Sequence, residues 1–272
     1  MGDFLKKMAT SSRERAALVN ETQFRSSDFD RPVVALKLGA FDVIAEIKER
    51  SPAAGLLRNA EHIDAETARR SRATAYAAGG AAAISVLTEP SRFDGELKHL
   101  EHVVDAVPEV PVMRKDFLVA PAQIREARAA GASGVLLIAA MLSDATLEAM
   151  LQEAWNFEMF VLLECFDEDD LRRSSALLDI AANQDRAARN QLLIGVNTRN
   201  LRTLEVDPDR LRKLASMLPA AKCVAESGLH SAIDAKRAAG LGYPVALVGT
   251  ALMRSEDPAA LISAMREAGA AQ

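Results

Sequence analysis

What most constrains the fold of this chain is a rhythm. Short apolar runs recur at about 43–48, 82–88, 111–117, 133–139, 159–165, 192–197, 222–227 and 244–249, with helical patterns between them. The spacing of roughly 20 to 40 residues is that of strand–helix units. The helical stretches carry their own punctuation. Asp64 reads as an N-cap for a helix to Ala78 that Gly79 and Gly80 close, and Pro121 opens one through Ala130 that stops at Gly131. Ser143 precedes a helix through about Ala154, Asp167 caps one entering at Glu168, and Asp207-Pro208 opens another. Ser231 to Ala239 stops at Gly240, and the last helix starts after Asp257-Pro258.

Eight strands alternating with eight helices in 272 residues predict an α/β protein, a closed parallel (β/α)8 TIM barrel rather than an open doubly wound sheet. No GxGxxG follows the first run, which weakens the open-sheet option further. Residues 1–42 fall outside the rhythm and read as an N-terminal helical extension, with a polar helix from about Phe4 to Asn20 and a loop ending at Arg31-Pro32. Residues 1–272 are therefore expected to form a single barrel domain that includes the extension. The stretch Ser174 to Gln191 is long for a connection and predicts an extended helix or a surface insertion.

In such a barrel the chemistry comes from the C-terminal strand ends and the loops just after them. The first run offers Glu46, Lys48 and Ser51, the second Glu89, the third Lys115 and the fifth Glu164. Asn197 and Arg199 follow the sixth run, Glu226, Ser227 and Gly228 the seventh, and Gly249 and Thr250 the eighth. The fourth ends in Ile138 and Ala139 and offers no polar group. Alternation puts Ile44, Glu46 and Lys48 on one face of a strand whose other face, Val43, Ala45 and Ile47, is apolar too. A carboxylate and an ammonium on such a strand cost several kcal/mol each unless they are paired or meet a ligand, so the strand belongs to a site. Lys115, between Arg114 and Asp116, is expected at the centre of its mouth.

Two lysines, four carboxylates and an amide suit proton transfers on an anionic organic substrate. The Ser227-Gly228 and Gly249-Thr250 pairs occupy matching positions of the last two units, where small residues let backbone N–H groups and a hydroxyl approach an anion. Loops after strands 7 and 8 are the usual phosphate site of this fold, so the substrate is expected to carry a phosphate.

Net charge is −5 and the basic residues are interspersed with acidic ones, which argues against nucleic acid or an anionic membrane as partner. Cys165 and Cys223 each lie within an apolar run and read as buried thiols of a reducing compartment. His62, His99, His102 and His230 fall in loops or helices without metal-ligand spacing, so no metal site is expected. No run approaches the roughly 18 residues of a membrane span, and no signal-peptide h-region is seen. A cytoplasmic protein, a monomer or weak homo-oligomer, is the expectation.

The motifs IAEIKERSP (44–52), AISVLTEP (83–90), PVMRKDF (111–117), GVLLIAAML (134–142), LLECFDEDDL (162–171), IGVNTRNLRTLEVD (194–207), VAESG (224–228) and ALVGTALM (246–253) together resemble the indole-3-glycerol-phosphate synthase family of tryptophan biosynthesis. The resemblance runs from about Val43 to the C-terminus, and an N-terminal helical extension is also a family feature. It implies a lyase that closes the ring of 1-(2-carboxyphenylamino)-1-deoxyribulose 5-phosphate to indole-3-glycerol phosphate, losing carbon dioxide and water, without a cofactor. Carried over by position, Lys115 is similar to the general acid that protonates the ribulose carbonyl, and Glu164 with Lys48 to the proton-transfer pair of the dehydration. The step served by each lysine stays open. Glu46, Asn197 and Glu226 are similar to the orienting groups, and Arg199, with Lys48, to the contact for the substrate carboxylate. Ser51, Ser227, Gly228, Gly249 and Thr250 would hold the phosphate.

The chain departs from the family pattern at Ala53, Cys165-Phe166, Thr198 and the long 174–191 segment. Two other readings stand beside the resemblance: a Schiff-base sugar-phosphate enzyme with Lys115 or Lys48 as nucleophile, and a divergent paralogue that binds a phosphorylated metabolite without turnover.

Overall fold

The strands β1 (Asp42–Ile47), β2 (Ala83–Leu87), β3 (Val112–Lys115), β4 (Gly134–Ile138), β5 (Phe160–Cys165), β6 (Leu192–Asn197), β7 (Lys222–Glu226) and β8 (Val245–Val248) pair in parallel, each with its successor. The circle closes where Asp42 to Ala45 of β1 lie in register with Val245 to Val248 of β8. This is the barrel expected from the rhythm, in a computed structural model that describes residues 3–19, 24–51, 55–57 and 64–272, the Ser51 side chain excepted. Ala53 and His62 lie outside the described residues.

The strands read as unbroken apolar runs because both of their faces are covered, one by the barrel interior and one by helices. Every residue of β1, β2, β4, β5, β6 and β8 is buried. Within this core a polar residue stands out, and Asp42, Glu46, Ser85, Arg114, Glu164, Asn197 and Glu226 are the buried polar residues of the strands.

The helix signals act as their chemistry dictates. Asp64 accepts from the Thr67 N–H at 3.0 Å, Asp167 from Asp170 at 3.0 Å and Asp257 from Ala260 at 2.9 Å, each satisfying a backbone donor of a first turn. Ser143 and Ser231 cap in the same way. Gly131 takes φ +91°, the left-handed step that ends its helix without steric cost.

Two boundaries differ from expectation. Asp207 does not open a helix directly: its side chain accepts from the Asp209 N–H in a local turn, and the helix is confined to Arg210–Leu214. The helix from Ala232 includes Gly240, and the left-handed glycine that follows is Gly242, φ +92°. The 174–191 segment, expected as an extended helix or a surface insertion, is not one long helix but carries a largely exposed second helix. A helix over Glu168–Leu178 ends and a second forms over Ala181–Ala188, carrying Arg186 over the Trp155 ring at 5.4 Å. A small antiparallel pair, Arg50–Ser51 with Gly55–Leu56, follows β1 and had no signal in the sequence.

The extension holds the barrel at two levels. Helix α1 (Asp3–Leu18) lies against the loop after β3: Phe4 meets Phe117 edge-on at 5.9 Å, and the Gln123 amide donates to Ser12 Oγ at 3.0 Å. Further along, the Val34 N–H donates to Ser133 Oγ at 3.0 Å just before β4, and Arg128 donates to the Phe29 carbonyl. Among the described residues no helix is long and apolar enough to cross a membrane.

Candidate active site

At the C-terminal ends of the strands the barrel opens into a cavity of about 540 Å³. Its floor is charged. Lys115 Nζ, at the end of β3, lies 3.3 Å from Glu226 Oε2, 3.4 Å from Glu46 Oε2 and 3.7 Å from Glu164 Oε2. Lys48 reaches the other oxygen of Glu46. Asn197 donates from Nδ2 to Glu164 Oε1 at 3.2 Å, and its own Oδ1 accepts the Arg199 N–H at 2.9 Å, so the amide is fixed at both ends.

The local field follows from this crowding. Burial pulls the Lys115 ammonium toward its neutral form, but Glu226, Glu46 and Glu164 overcome it and hold the pKa above that of an ordinary lysine. Burial likewise pushes the Glu46 carboxyl up, and Lys48 with Lys115 overrides it, leaving Glu46 below the usual carboxylate range. Glu226 goes the other way. Burial first and the neighbouring Glu164 second push it well above an ordinary carboxyl, and Lys115 offsets only part. Its Oε1 is buried with no hydrogen-bond partner among the described residues. Three carboxyl groups face two ammonium groups here.

Two glycines make the arrangement possible. A Cβ on Gly249 would collide with the Glu46 carboxylate and the Lys48 ammonium, and a Cβ on Gly195 would collide with Glu226 Oε1. Gly249 was expected only as part of an anion cradle, and its missing side chain also gives the Glu46–Lys48 pair its space. Gly195 carried no signal beyond a glycine within a strand pattern, which marks a close approach without naming the partner.

The cavity brings together Glu46, Lys48, Lys115, Glu164, Asn197 and Arg199 with Ser227, Gly228, Gly249 and Thr250. Glu226 stands beneath, fully buried, in contact with Lys115. Ser51 ends the small antiparallel pair after β1. Glu89 does not join the cluster: its carboxylate caps the turn Pro90–Phe93, accepting from the Ser91 and Arg92 N–H groups. Ser227 and Gly228 both take positive φ, +66° and +75°, turning the chain sharply after β7, and the buried Thr198 hydroxyl beside Gly228 is unpartnered among the described residues.

Much of the wall is apolar. Phe4 from α1, Phe93, Phe117, Leu136, Ile138 and Leu201 line it, an environment suited to an aromatic ring. These residues escaped a reading that sought polar strand ends, since an apolar residue has the same sequence signature in a wall as in the core. Arg199 has no side-chain partner among the described residues, although its backbone bridges to Val206.

A family model of indole-3-glycerol phosphate synthase matches residues 6–265. The chain belongs to the indole-3-glycerol phosphate synthase family. Among its relatives, the indole-3-glycerol phosphate synthase of Mycolicibacterium vanbaalenii is 39% identical over 264 residues, covering 96% of this chain and 90% of that one. The Koribacter versatilis synthase is 38% identical over 261 residues, covering 94% and 91%. The family model includes most of α1, so the extension belongs to the indole-3-glycerol phosphate synthase pattern. A solved 3-hexulose-6-phosphate synthase from Salmonella typhimurium superposes with a TM-score of 0.60 at 14% identity, covering 84% of this chain and 98% of that one. That likeness speaks to the fold alone.

Proposed function

We propose that this site carries out the family's reaction, ring closure of 1-(2-carboxyphenylamino)-1-deoxyribulose 5-phosphate with loss of carbon dioxide and water. The observation that carries the assignment of roles is the Lys115 ammonium, held charged among three carboxylates at the floor of a largely apolar cavity. A lysine so held is a proton donor. As the carboxylate-bearing ring carbon attacks the ribulose carbonyl, Lys115 delivers a proton to the developing alkoxide. Carbon dioxide leaves from that ring carbon, and the bond electrons restore conjugation. Departure of the new hydroxyl as water needs a donor to the oxygen and a base for the remaining ring proton. Glu164, bonded by Asn197, and Lys48, paired with Glu46, would serve these transfers.

Orientation supports the rest. The aromatic ring fits the apolar wall and Arg199 is free to meet the ring carboxylate. The phosphate fits the turn Ser227-Gly228 with Gly249 and Thr250 across the rim. Holding ring and carbonyl in contact is worth about 7–11 kcal/mol of barrier in well-oriented systems. A Schiff-base route needs an unprotonated amine, and the carboxylates around Lys115 oppose that form.

The test is the appearance of indole fluorescence with the anthranilate-derived ribulose phosphate. Turnover by the wild-type protein and its loss in Lys115→Ala, with an unchanged circular dichroism spectrum, support the assignment. Wild-type protein that binds without turnover, or an Ala variant that retains turnover, overturns it. A borohydride-trapped adduct would move the chemistry to the Schiff-base class.

A further inference from the structure

Asp116 follows Lys115 directly, and its carboxylate is wholly buried. Arg15 of α1 grips it with two parallel bonds, Nη1 to Oδ2 and Nη2 to Oδ1, both 2.8 Å, across 101 residues of sequence. The same carboxylate accepts from Thr88 Oγ1 at 2.8 Å and from the Phe117 N–H at 2.8 Å. Thr88 in turn donates its backbone N–H to the Lys115 carbonyl at 3.0 Å. A continuous path therefore runs from Arg15 through Asp116 and Thr88 to the main chain of Lys115.

The charge count makes Arg15 indispensable to that path. Arg114 serves Asp116 at 3.3 Å but also Glu126 at 2.6 Å, so two carboxylates share two guanidinium groups. Without Arg15 this partly buried cluster holds one excess negative charge beside the strand end that carries Lys115. A second tie, the Gln123 amide to Ser12, seats α1 on the same loop, and Gln123 Oε1 accepts the N–H groups of Val119 and Ala120.

We infer that Arg15 is a positioning residue for Lys115, so that the N-terminal helix sets the aim of the proton donor through the Arg15–Asp116 pair. This rests on Lys115 being that donor. Arg15 does not line the cavity, so its effect falls on the chemical step rather than on binding.

The experiment compares Arg15→Met, Arg15→Lys and Arg31→Met with wild type, well below each variant's unfolding midpoint. Arg31 bonds Asp105 elsewhere on the extension and controls for loss of anchoring alone. The expected result for Arg15→Met is a kcat lowered on the order of 10- to 100-fold with KM within about threefold, the scale of a misplaced catalytic group. Arg15→Lys recovers part of it, and Arg31→Met keeps wild-type kcat. Competitive acetylation of Lys115, read by peptide mass spectrometry, gives a second measure that needs no turnover, and its rate rises in Arg15→Met. Wild-type kcat and acetylation in Arg15→Met, or equal losses of kcat in the Arg15 and Arg31 variants, overturn the inference. Should Lys115→Ala retain turnover, the role of Lys115 falls, and the acetylation rate still decides whether Arg15 positions it.

Discussion

Asn197 Nδ2 donates to Glu164 Oε1 at 3.2 Å from the neighbouring strand, and the bond fixes which oxygen of Glu164 faces Lys115. Asn197 ends β6 and Glu164 is the last residue but one of β5, so the geometry is set by strand register rather than by a loop. Replacing Asn197 by Ala frees the carboxylate to rotate. A fall in kcat on the order of 10- to 100-fold is expected, with little change in melting temperature. Steady-state kinetics beside a thermal scan checks this, and an unchanged kcat would show that Glu164 needs no aiming.

Gly249→Ala places a methyl where the Glu46 carboxylate and Lys48 ammonium meet. Overpacking of this kind costs roughly 1–3 kcal/mol and displaces the pair. The variant should fold, melt earlier and lose most of its turnover. Urea denaturation and the fluorescence assay read the two effects, and an active Ala variant would mean that the pair can shift without penalty.

Glu226 and Glu46 give opposite pH signatures. The folded-state pKa of Glu226 is raised, so its contribution to stability is complete below about 4.5, its unfolded value, and is lost as pH rises through the folded value. Glu226→Gln keeps the neutral shape, and its melting temperature relative to wild type should climb from pH 4.5 upward. Glu46 is depressed, so its contribution is present above about 4.5 and is lost as pH falls through its folded value. Glu46→Gln should therefore cost most near neutrality and least in acid. Calorimetry from pH 3 to 9 separates the two, and parallel curves would refute both assignments.

Arg202 pins the loop that carries Arg199 and Leu201. It bonds Asp167 at 2.6 Å and Asp170 at 2.7 Å and lies 5.7 Å from the Phe166 ring centroid. Arg202→Ala should raise KM roughly tenfold through the loosened substrate-facing loop, with a smaller change in kcat. A variant with wild-type KM would show that the loop holds its shape unaided.

The strand ends were legible because polar residues are conspicuous in apolar runs. Glu46 and Lys48 on one face of β1, and Lys115 closing β3, could be read without coordinates. The Arg15–Asp116 pair could not. Arg15 lies on a helix rich in charge, where a guanidinium reads as a solvated side chain, and nothing in local spacing points to a partner 101 residues away. Gly195 was hidden for a related reason, since the oxygen it accommodates belongs to Glu226 on the neighbouring strand β7, which local spacing around Gly195 does not reveal. Asp207 misled because aspartate before proline signals a helix start and a local turn alike.

The seam of the barrel has a consequence for how the protein comes into being. Glu46 and Lys48 are among the earliest charged side chains of the cavity to be synthesised, while the glycine that leaves them room arrives with the closing strand some two hundred positions later. Until that strand docks, the charged pair has no finished enclosure. A partly made chain still attached to the ribosome can thus hold nearly every reactive group and still be chemically silent, with competence arriving in one event when the ring of strands is joined.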